Sequence, residues 1–147
     1  MDWRANLVDD DAGLARILRE ARSIAVLGAK GETAQPAFYV PAYLKAHGYR
    51  VLPVNPTRMG ERILGESVVA TLADLRHAPD VIEVFRRPQY LQAHAAEIVR
   101  LPWMPPVVWF QLGIRDDAAA EMLARAGIRV VQDRCMMPEH RRLLGAA

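Results

Sequence analysis

Basic residues follow each of five short apolar runs, and they are the side chains in this sequence best suited to bind a ligand. The runs are predicted strands, and the cations after them are Lys30, Arg58, Arg86, Arg87, Arg115 and Arg134. Ligands of an open parallel sheet bind beyond the carboxyl ends of the strands, where the strand order reverses. The positive charge is partly offset by Asp116, Asp117 and Asp133. Arginines are also common on protein surfaces that bind no ligand. The pattern nevertheless favours an anionic ligand that carries several phosphates.

The turn after the first predicted strand is a second feature that suits a phosphate. It reads Gly28-Ala29-Lys30-Gly31-Glu32-Thr33 and precedes a predicted helix. Glycine lets backbone N–H groups approach a phosphate, and the N-terminus of a helix adds unpaired donors and a positive dipole end. The turn lacks the full Gly-x-Gly-x-x-Gly order of dinucleotide-binding enzymes and the Gly-Lys-Ser/Thr triplet of a P-loop. It is therefore compatible with phosphate binding and also with an ordinary glycine turn.

The end of the second predicted strand distinguishes between nucleotide cofactors. An NAD site needs Asp or Glu near this point to hold the ribose hydroxyls. Here the chain reads Pro53-Val54-Asn55-Pro56-Thr57-Arg58, which contains no acid. Arg58 suits a ribose with an extra phosphate, which both coenzyme A and NADP carry. The sequence thus disfavours NAD and leaves coenzyme A and NADP open.

Helix-length amphipathic segments alternate with the apolar runs, which indicates an α/β fold. The predicted strands are Ser23–Leu27, Arg50–Val54, Val81–Phe85, Val107–Phe110 and Ile128–Val131, and the predicted helices are Asp11–Arg22, Pro36–His47, Pro88–Arg100 and Asp116–Ala126, with a short helix near Leu72–Arg76 and an irregular stretch over Asn55–Glu66. Asp116 is a predicted helix N-cap, and Gly48 and Gly127 are predicted C-terminal caps. Right-handed crossovers then give a three-layer, Rossmann-like, doubly wound parallel sheet of about five strands.

Length and composition exclude several classes of protein. The 147 residues predict a single domain over residues 1–147, and 52% hydrophobic with 24% charged residues excludes a disordered or collagen-like chain. No apolar run is long enough to cross a bilayer, and the first residues lack the apolar core of a signal peptide. One cysteine favours a reducing compartment, and a net charge of +2 does not by itself indicate nucleic acid. We expect a cytoplasmic protein that binds neither nucleic acid nor membranes.

The residues that most often perform catalysis or bind metals are scattered. None of the four histidines (His47, His77, His94 and His140) pairs at a metal-ligand spacing with another histidine or with Cys135. Cys135 lies five residues before His140, but free cysteines usually act as small buried hydrophobes. Glu83 interrupts a predicted buried strand, where a carboxyl group needs a hydrogen-bond partner or an edge position. We predict no catalytic residue and no metal site.

Six short motifs follow one another along the predicted strands and their carboxyl ends. They read Ile-Ala-Val-Leu-Gly-Ala, Tyr-Arg-Val-Leu-Pro-Val-Asn-Pro, Ile-Leu-Gly-Glu, Val-Phe-Arg-Arg-Pro, Trp-Phe-Gln-Leu-Gly and Asp-Arg-Cys-Met. In this order and spacing, over roughly Leu14 to Leu143, the chain resembles the stand-alone CoA-binding proteins of bacteria and archaea. These are similar to the N-terminal CoA-binding domain of the succinyl-CoA synthetase alpha subunit.

The resemblance implies a set of residues that bind coenzyme A. They are Gly28, Ala29 and Lys30 after the first strand, Asn55, Pro56 and Arg58 after the second, Val84, Phe85 and Arg86 at the third, and Gln111, Leu112 and Gly113 after the fourth. The first turn would hold the nucleotide end, and Arg58 takes the position of a synthetase lysine. The turn departs from the family, whose members often have a Ser-Pro or Asn-Pro pair and a further glycine there. Glu32 would be awkward beside a phosphate unless it points outward.

The resemblance also implies a function. We expect a module that binds coenzyme A or a CoA thioester without catalytic activity of its own, because the sequence has no counterpart of the synthetase's phosphorylated histidine or ATP-grasp domain. One alternative is a small NADP-dependent oxidoreductase, in which Arg58 would serve the 2′-phosphate. Another is a nucleotide-sensing regulatory protein, although the sequence shows no winged-helix domain or basic recognition helix.

Overall fold

The structure, a computed structural model, describes residues 2–145 and is built around a five-stranded parallel sheet. The strands are β1 (Ser23–Leu27), β2 (Arg50–Val54), β3 (Arg62–Ile63), β4 (Glu66–Ser67), β5 (Val81–Val84), β6 (Val107–Phe110) and β7 (Arg129–Val131). The parallel sheet has the order β2-β1-β5-β6-β7, and β3 pairs with β4 in a separate antiparallel hairpin. The strand order reverses between β1 and β5. The carboxyl ends of these two strands are therefore where a doubly wound sheet places its ligand.

Helices cover both faces of the sheet, which confirms the predicted three-layer, Rossmann-like α/β fold. They are α1 (Asp11–Glu20), α2 (Pro36–Ala46), α3 (Leu91–Val99), α4 (Asp117–Arg125) and α5 (Met136–Leu144). Alternate strand residues point to opposite faces, so the sheet contributes to two cores. One core contains buried residues of α1, α2 and α5, and the other contains buried residues of α3 and α4.

The predicted helix ends are confirmed at three positions. The Asp116 side chain accepts a hydrogen bond from the backbone N–H of Ala119 at 2.8 Å and so caps α4. Gly48 and Gly127 follow α2 and α4 with φ of +97° and +93°. Such values are easily reached only by glycine, so both residues end their helices as predicted.

Several elements differ from the sequence prediction. The stretch Asn55–Glu66, predicted as irregular, contains a 3₁₀ turn and the β3–β4 hairpin, whose two turn residues Leu64 and Gly65 have positive φ. Residues 88–90 form a 3₁₀ turn before α3, and α5 was not among the predicted helices. None of the helices within residues 2–145 has the length and apolar character that a membrane span requires.

Candidate ligand site

A cavity of about 270 Å³ lies at the carboxyl ends of β1 and β5, where the strand order reverses. Its walls include the apolar side chains of Phe85, Pro88 and Ile114. The cations around it are Lys30, Arg86 and Arg87. Larger cavities of about 310, 350 and 480 Å³ lie elsewhere on the surface, but none of these three is bordered by the carboxyl ends of β1 and β5. The cavity therefore lies at the edge of the sheet where the sequence predicts a ligand site, and three of the predicted site residues, Lys30, Phe85 and Arg86, line it.

Gly28 brings the loop after β1 into direct contact with the loop after β5. A Cβ atom at Gly28 would lie 2.6 Å from the carbonyl oxygen of Phe85, and its φ is +92°. Both facts require glycine at this position. The backbone N–H groups of Gly28 and Ala29 donate to the carbonyl of Val54, and that of Phe85 donates to the carbonyl of Leu27. The amides of Gly28 and Ala29 thus bind the loop after β1 to the end of β2, so they already have an acceptor within the protein.

Asn55 fixes the loop after β2 against the loop after β1. Its buried side chain donates from Nδ2 to the carbonyl of Ala29 at 2.9 Å. Its Oδ1 accepts from the backbone N–H of Thr57 at 3.0 Å and from the Thr57 hydroxyl at 2.8 Å. The backbone N–H of Arg58 in turn donates to the carbonyl of Asn55. Asn55 therefore positions Arg58, with Pro56 exposed between them.

Arg58 is held by acidic side chains. Its Nη2 lies 2.6 Å from Oε1 of Glu32, and its Nη1 lies 3.7 Å from Oε1 of Glu61. The hydrogen bond from Arg58 lowers the pKa of Glu32 and raises that of Arg58. The sequence analysis identified Arg58 as a cation for a ribose phosphate. In the structure this cation already has a carboxylate partner.

The six cations after the strands fall into two groups. Arg115 pairs with Asp117 at 3.1 Å, and Arg134 pairs with Asp9 at 2.7 Å, so these two are neutralised as Arg58 is. Across residues 2–145, no carboxylate lies within ion-pair distance of the other three, which are Lys30, Arg86 and Arg87. The positive charge that an anion could use is therefore concentrated at the cavity.

Arg86 carries the clearest sign of a missing partner. Its Nε is buried and has no hydrogen-bond acceptor among the described residues. Its guanidinium group lies 5.9 Å from the centre of the Tyr90 ring. Buried donors in native proteins are almost always paired, and an acceptor bound in the cavity would pair with this one. A phosphate oxygen has the charge and geometry that a guanidinium group prefers.

The remaining residues implied by the resemblance have mixed roles. Val84 is fully buried in the core beside α3 and α4, so its side chain does not reach the cavity. Gln111 is buried, and its Oε1 accepts from the backbone N–H of Met136 at 3.2 Å. The backbone N–H of Gly113 donates to Asp133 at 2.6 Å, whereas Leu112 is 69% exposed. Of this group, Leu112 is the side chain most available to a ligand.

Cys135 and His140 are not joined by a hydrogen bond in the part of the chain that the structure describes. His140 instead shares a hydrogen bond of 2.9 Å with the hydroxyl of Tyr43. Burial raises the pKa of the Cys135 thiol, and the nearby charge of Glu83 adds to this effect. A raised pKa disfavours the thiolate, which is the nucleophilic form. Within residues 2–145 no group of three or more His, Cys, Asp or Glu side chains is arranged to hold a metal ion.

Comparison with known proteins gives one family and several close structures. The family described as "CoA binding domain" matches residues 22–141. A Thermus thermophilus protein, cell-free ID.343, is 48% identical, with a TM-score of 0.86 over 92% of this chain and 99% of that chain. A Pyrococcus horikoshii OT3 protein is 33% identical, with a TM-score of 0.85 over 93% and 94% of the two chains. YneT of Bacillus subtilis (strain 168) is 31% identical over 88% of this chain and 93% of its own length.

Proposed function

Because this chain belongs to the CoA-binding domain family, we propose that it binds coenzyme A in the cavity at the carboxyl ends of β1 and β5. Family membership supports CoA as the ligand, and the geometry of the cavity supports its location. The charged side chains that line the cavity are all cations. We therefore propose that this site binds CoA, and we propose no reaction for it. It includes the cytoplasmic location expected from the sequence.

The observation that carries the proposal is the unpaired cation cluster beside apolar walls. Lys30, Arg86 and Arg87 lack a carboxylate partner among the described residues, and the Nε of Arg86 is buried without an acceptor. The pyrophosphate of CoA supplies acceptors for these groups. Phe85 and Ile114 provide an apolar surface for the pantetheine arm or the adenine ring. The cavity thus offers cations to the pyrophosphate of CoA and an apolar surface to its pantetheine arm or adenine ring.

Thermal unfolding in the presence of ligands tests this proposal. We expect CoA at one hundred times its dissociation constant to raise Tm by about 5–10 °C, since such a ligand stabilises the native state by about 2.7 kcal/mol. NADH at the same concentration should leave Tm unchanged, because the stretch from Pro53 to Arg58 at the end of β2 lacks the acid that holds the ribose hydroxyls in NAD sites. An equal or larger shift with NADH would contradict the proposal, and a shift with NADPH alone would support the oxidoreductase alternative.

Arg58 is the residue that we propose for the 3′-phosphate of CoA. Arg58→Ala should then weaken CoA by roughly tenfold and leave dephospho-CoA, which lacks this phosphate, nearly unaffected. Calorimetric titration of wild type and variant with both ligands measures the difference. Added salt should weaken the contribution of Arg58 to affinity strongly if this contribution is a general charge effect, and less if Arg58 contacts the phosphate directly.

Arg115→Ala is the matched control for Arg58→Ala. Like Arg58, Arg115 is a cation at the carboxyl edge of the sheet that pairs with a carboxylate and lies outside the cavity lining, but it follows β6 rather than β2. Its removal should change the affinities for CoA and dephospho-CoA little and equally. If Arg58→Ala weakens both ligands to the same degree, Arg58 only adds to the local potential and does not bind the 3′-phosphate.

A further inference from the structure

The carboxylate of Glu32 occupies an anion-binding position on Arg58. The two side chains are joined by a charge-assisted hydrogen bond of 2.6 Å between Nη2 and Oε1. The low pKa of Glu32 is due first to this bond, and the backbone N–H groups of Glu32 and Gly31 lower it further. A guanidinium group is a typical partner of a phosphate. In this protein the carboxylate of Glu32, from the loop after β1, occupies that position on Arg58.

The two partners differ in how firmly they are held. Arg58 follows Asn55, which is buried and bonded to the loop after β1 and to Thr57 of its own turn, and the Arg58 side chain is only 25% exposed. Glu32 lies in a stretch, residues 30–36, in which every residue is exposed. The Glu32 side chain is 53% exposed. Arg58 is thus the anchored partner, and Glu32 is the one that can be displaced.

We propose that Glu32 is a specificity-determining residue whose carboxylate occupies the place of the 3′-phosphate on Arg58, so that CoA must displace it to bind fully. This inference rests on the proposed CoA site. A dianionic phosphate outcompetes a carboxylate for a guanidinium group, whereas a ligand with a free 3′-hydroxyl leaves the Glu32–Arg58 pair intact. Glu32 therefore reduces the advantage of CoA over dephospho-CoA, and it protects Arg58 from other small anions.

Glu32→Gln tests the proposal, because it removes the charge and keeps the shape of the side chain. We expect the dissociation constant of CoA to fall by about tenfold and that of dephospho-CoA to change by less than twofold, both measured calorimetrically. Glu61→Gln is the matched control, since it removes the same charge from the other acid near Arg58. Glu61 lies 3.7 Å from Nη1, beyond hydrogen-bond distance, so its effect on CoA should be clearly smaller.

A second background separates competition for Arg58 from general repulsion. In the Arg58→Ala protein, Glu32→Gln should no longer favour CoA over dephospho-CoA, because the two groups have no shared partner. Equal tightening of both ligands by Glu32→Gln, an unchanged CoA affinity or a weaker one would overturn the proposal while the CoA site stands. If wild type and both acid variants bind neither ligand, the proposed function fails and this inference fails with it.

Discussion

Glu83→Met should stabilise the protein, and by about 4 kcal/mol more at pH 8 than at pH 4. Glu83 is fully buried in the central strand β5, where Val26 of β1 and Trp109 of β6 are its register partners. Both carboxyl oxygens are buried and lack a hydrogen-bond partner among the described residues. Methionine has a similar length, is unbranched and needs no such partner.

The pH dependence follows from the pKa of Glu83, which burial raises from 4.5 to about 8. Between these values the unfolded chain has released the proton of this carboxyl, whereas the folded protein retains it. The folded state then binds more protons than the unfolded state, so this residue makes stability fall as the pH rises. The loss begins near pH 4.5 and is complete above pH 8. Glu83→Met removes this contribution and leaves those of all other groups in place.

Guanidinium chloride unfolding of wild type and Glu83→Met at pH 4, 5, 6, 7 and 8 measures the effect. The difference in unfolding free energy should grow by up to about 1.4 kcal/mol per pH unit between pH 5 and 8. Glu83→Gln is the control, because it removes the titration but keeps a buried polar group without a partner. It should lack the pH dependence and be less stable than Glu83→Met. A difference between wild type and Glu83→Met that is the same at every pH would show that Glu83 titrates normally.

Much of the fold could be predicted because its signals are local. Each strand of the main sheet is a short run of apolar residues, and burial on both faces requires no more than that. Asp116, Gly48 and Gly127 mark helix ends through their own side chains or their own backbone freedom. The β3–β4 hairpin could not be predicted in this way. Its strands have two residues each, too few to show an alternation of apolar and polar residues.

The pairing of Arg58 and Arg134 with carboxylates could not be predicted, because their partners lie far away in the sequence. Arg134 is neutralised by Asp9, which lies 125 positions earlier and is brought close only by the folded arrangement. Arg58 is neutralised by Glu32 from the neighbouring loop. The sequence did predict that these cations share one edge of the sheet, since each of them follows the carboxyl end of a strand. Only the folded chain shows that, among the cations that follow the strands, those without a carboxylate partner in residues 2–145 lie at the cavity between β1 and β5.

The role that the structure gives to Gly28 differs from the role that the sequence predicted. The sequence predicted that this glycine lets the backbone approach a phosphate. In the structure its amide donates to Val54, and the space that a side chain would need is taken by the carbonyl of Phe85. The constraint is contact between two loops of the protein. The same contact places Lys30 and Arg86 beside one cavity, so the glycine still serves the site.

Gly28→Ala should therefore destabilise the protein by about 3 kcal/mol or more and weaken CoA by at least tenfold. The new Cβ would lie 2.6 Å from a backbone oxygen, which cannot turn aside as a side chain can, and 3.1 Å from Cδ of Arg86. Relief of this clash must separate the loops after β1 and β5. The cations around the cavity then lose their relative positions. Thermal unfolding gives the stability, and calorimetry at a temperature where the variant remains folded gives the affinity.

Gly127→Ala is the control that isolates the clash from the backbone conformation. Gly127 has φ of +93°, nearly the same as the +92° of Gly28, but nothing lies within 4 Å of the position of its Cβ. Its substitution should cost only the strain of a positive φ, about 1 kcal/mol, and leave CoA binding unchanged. Equal costs for the two variants would mean that the loops separate without penalty. The contact between Gly28 and Phe85 would then not be what holds the site together.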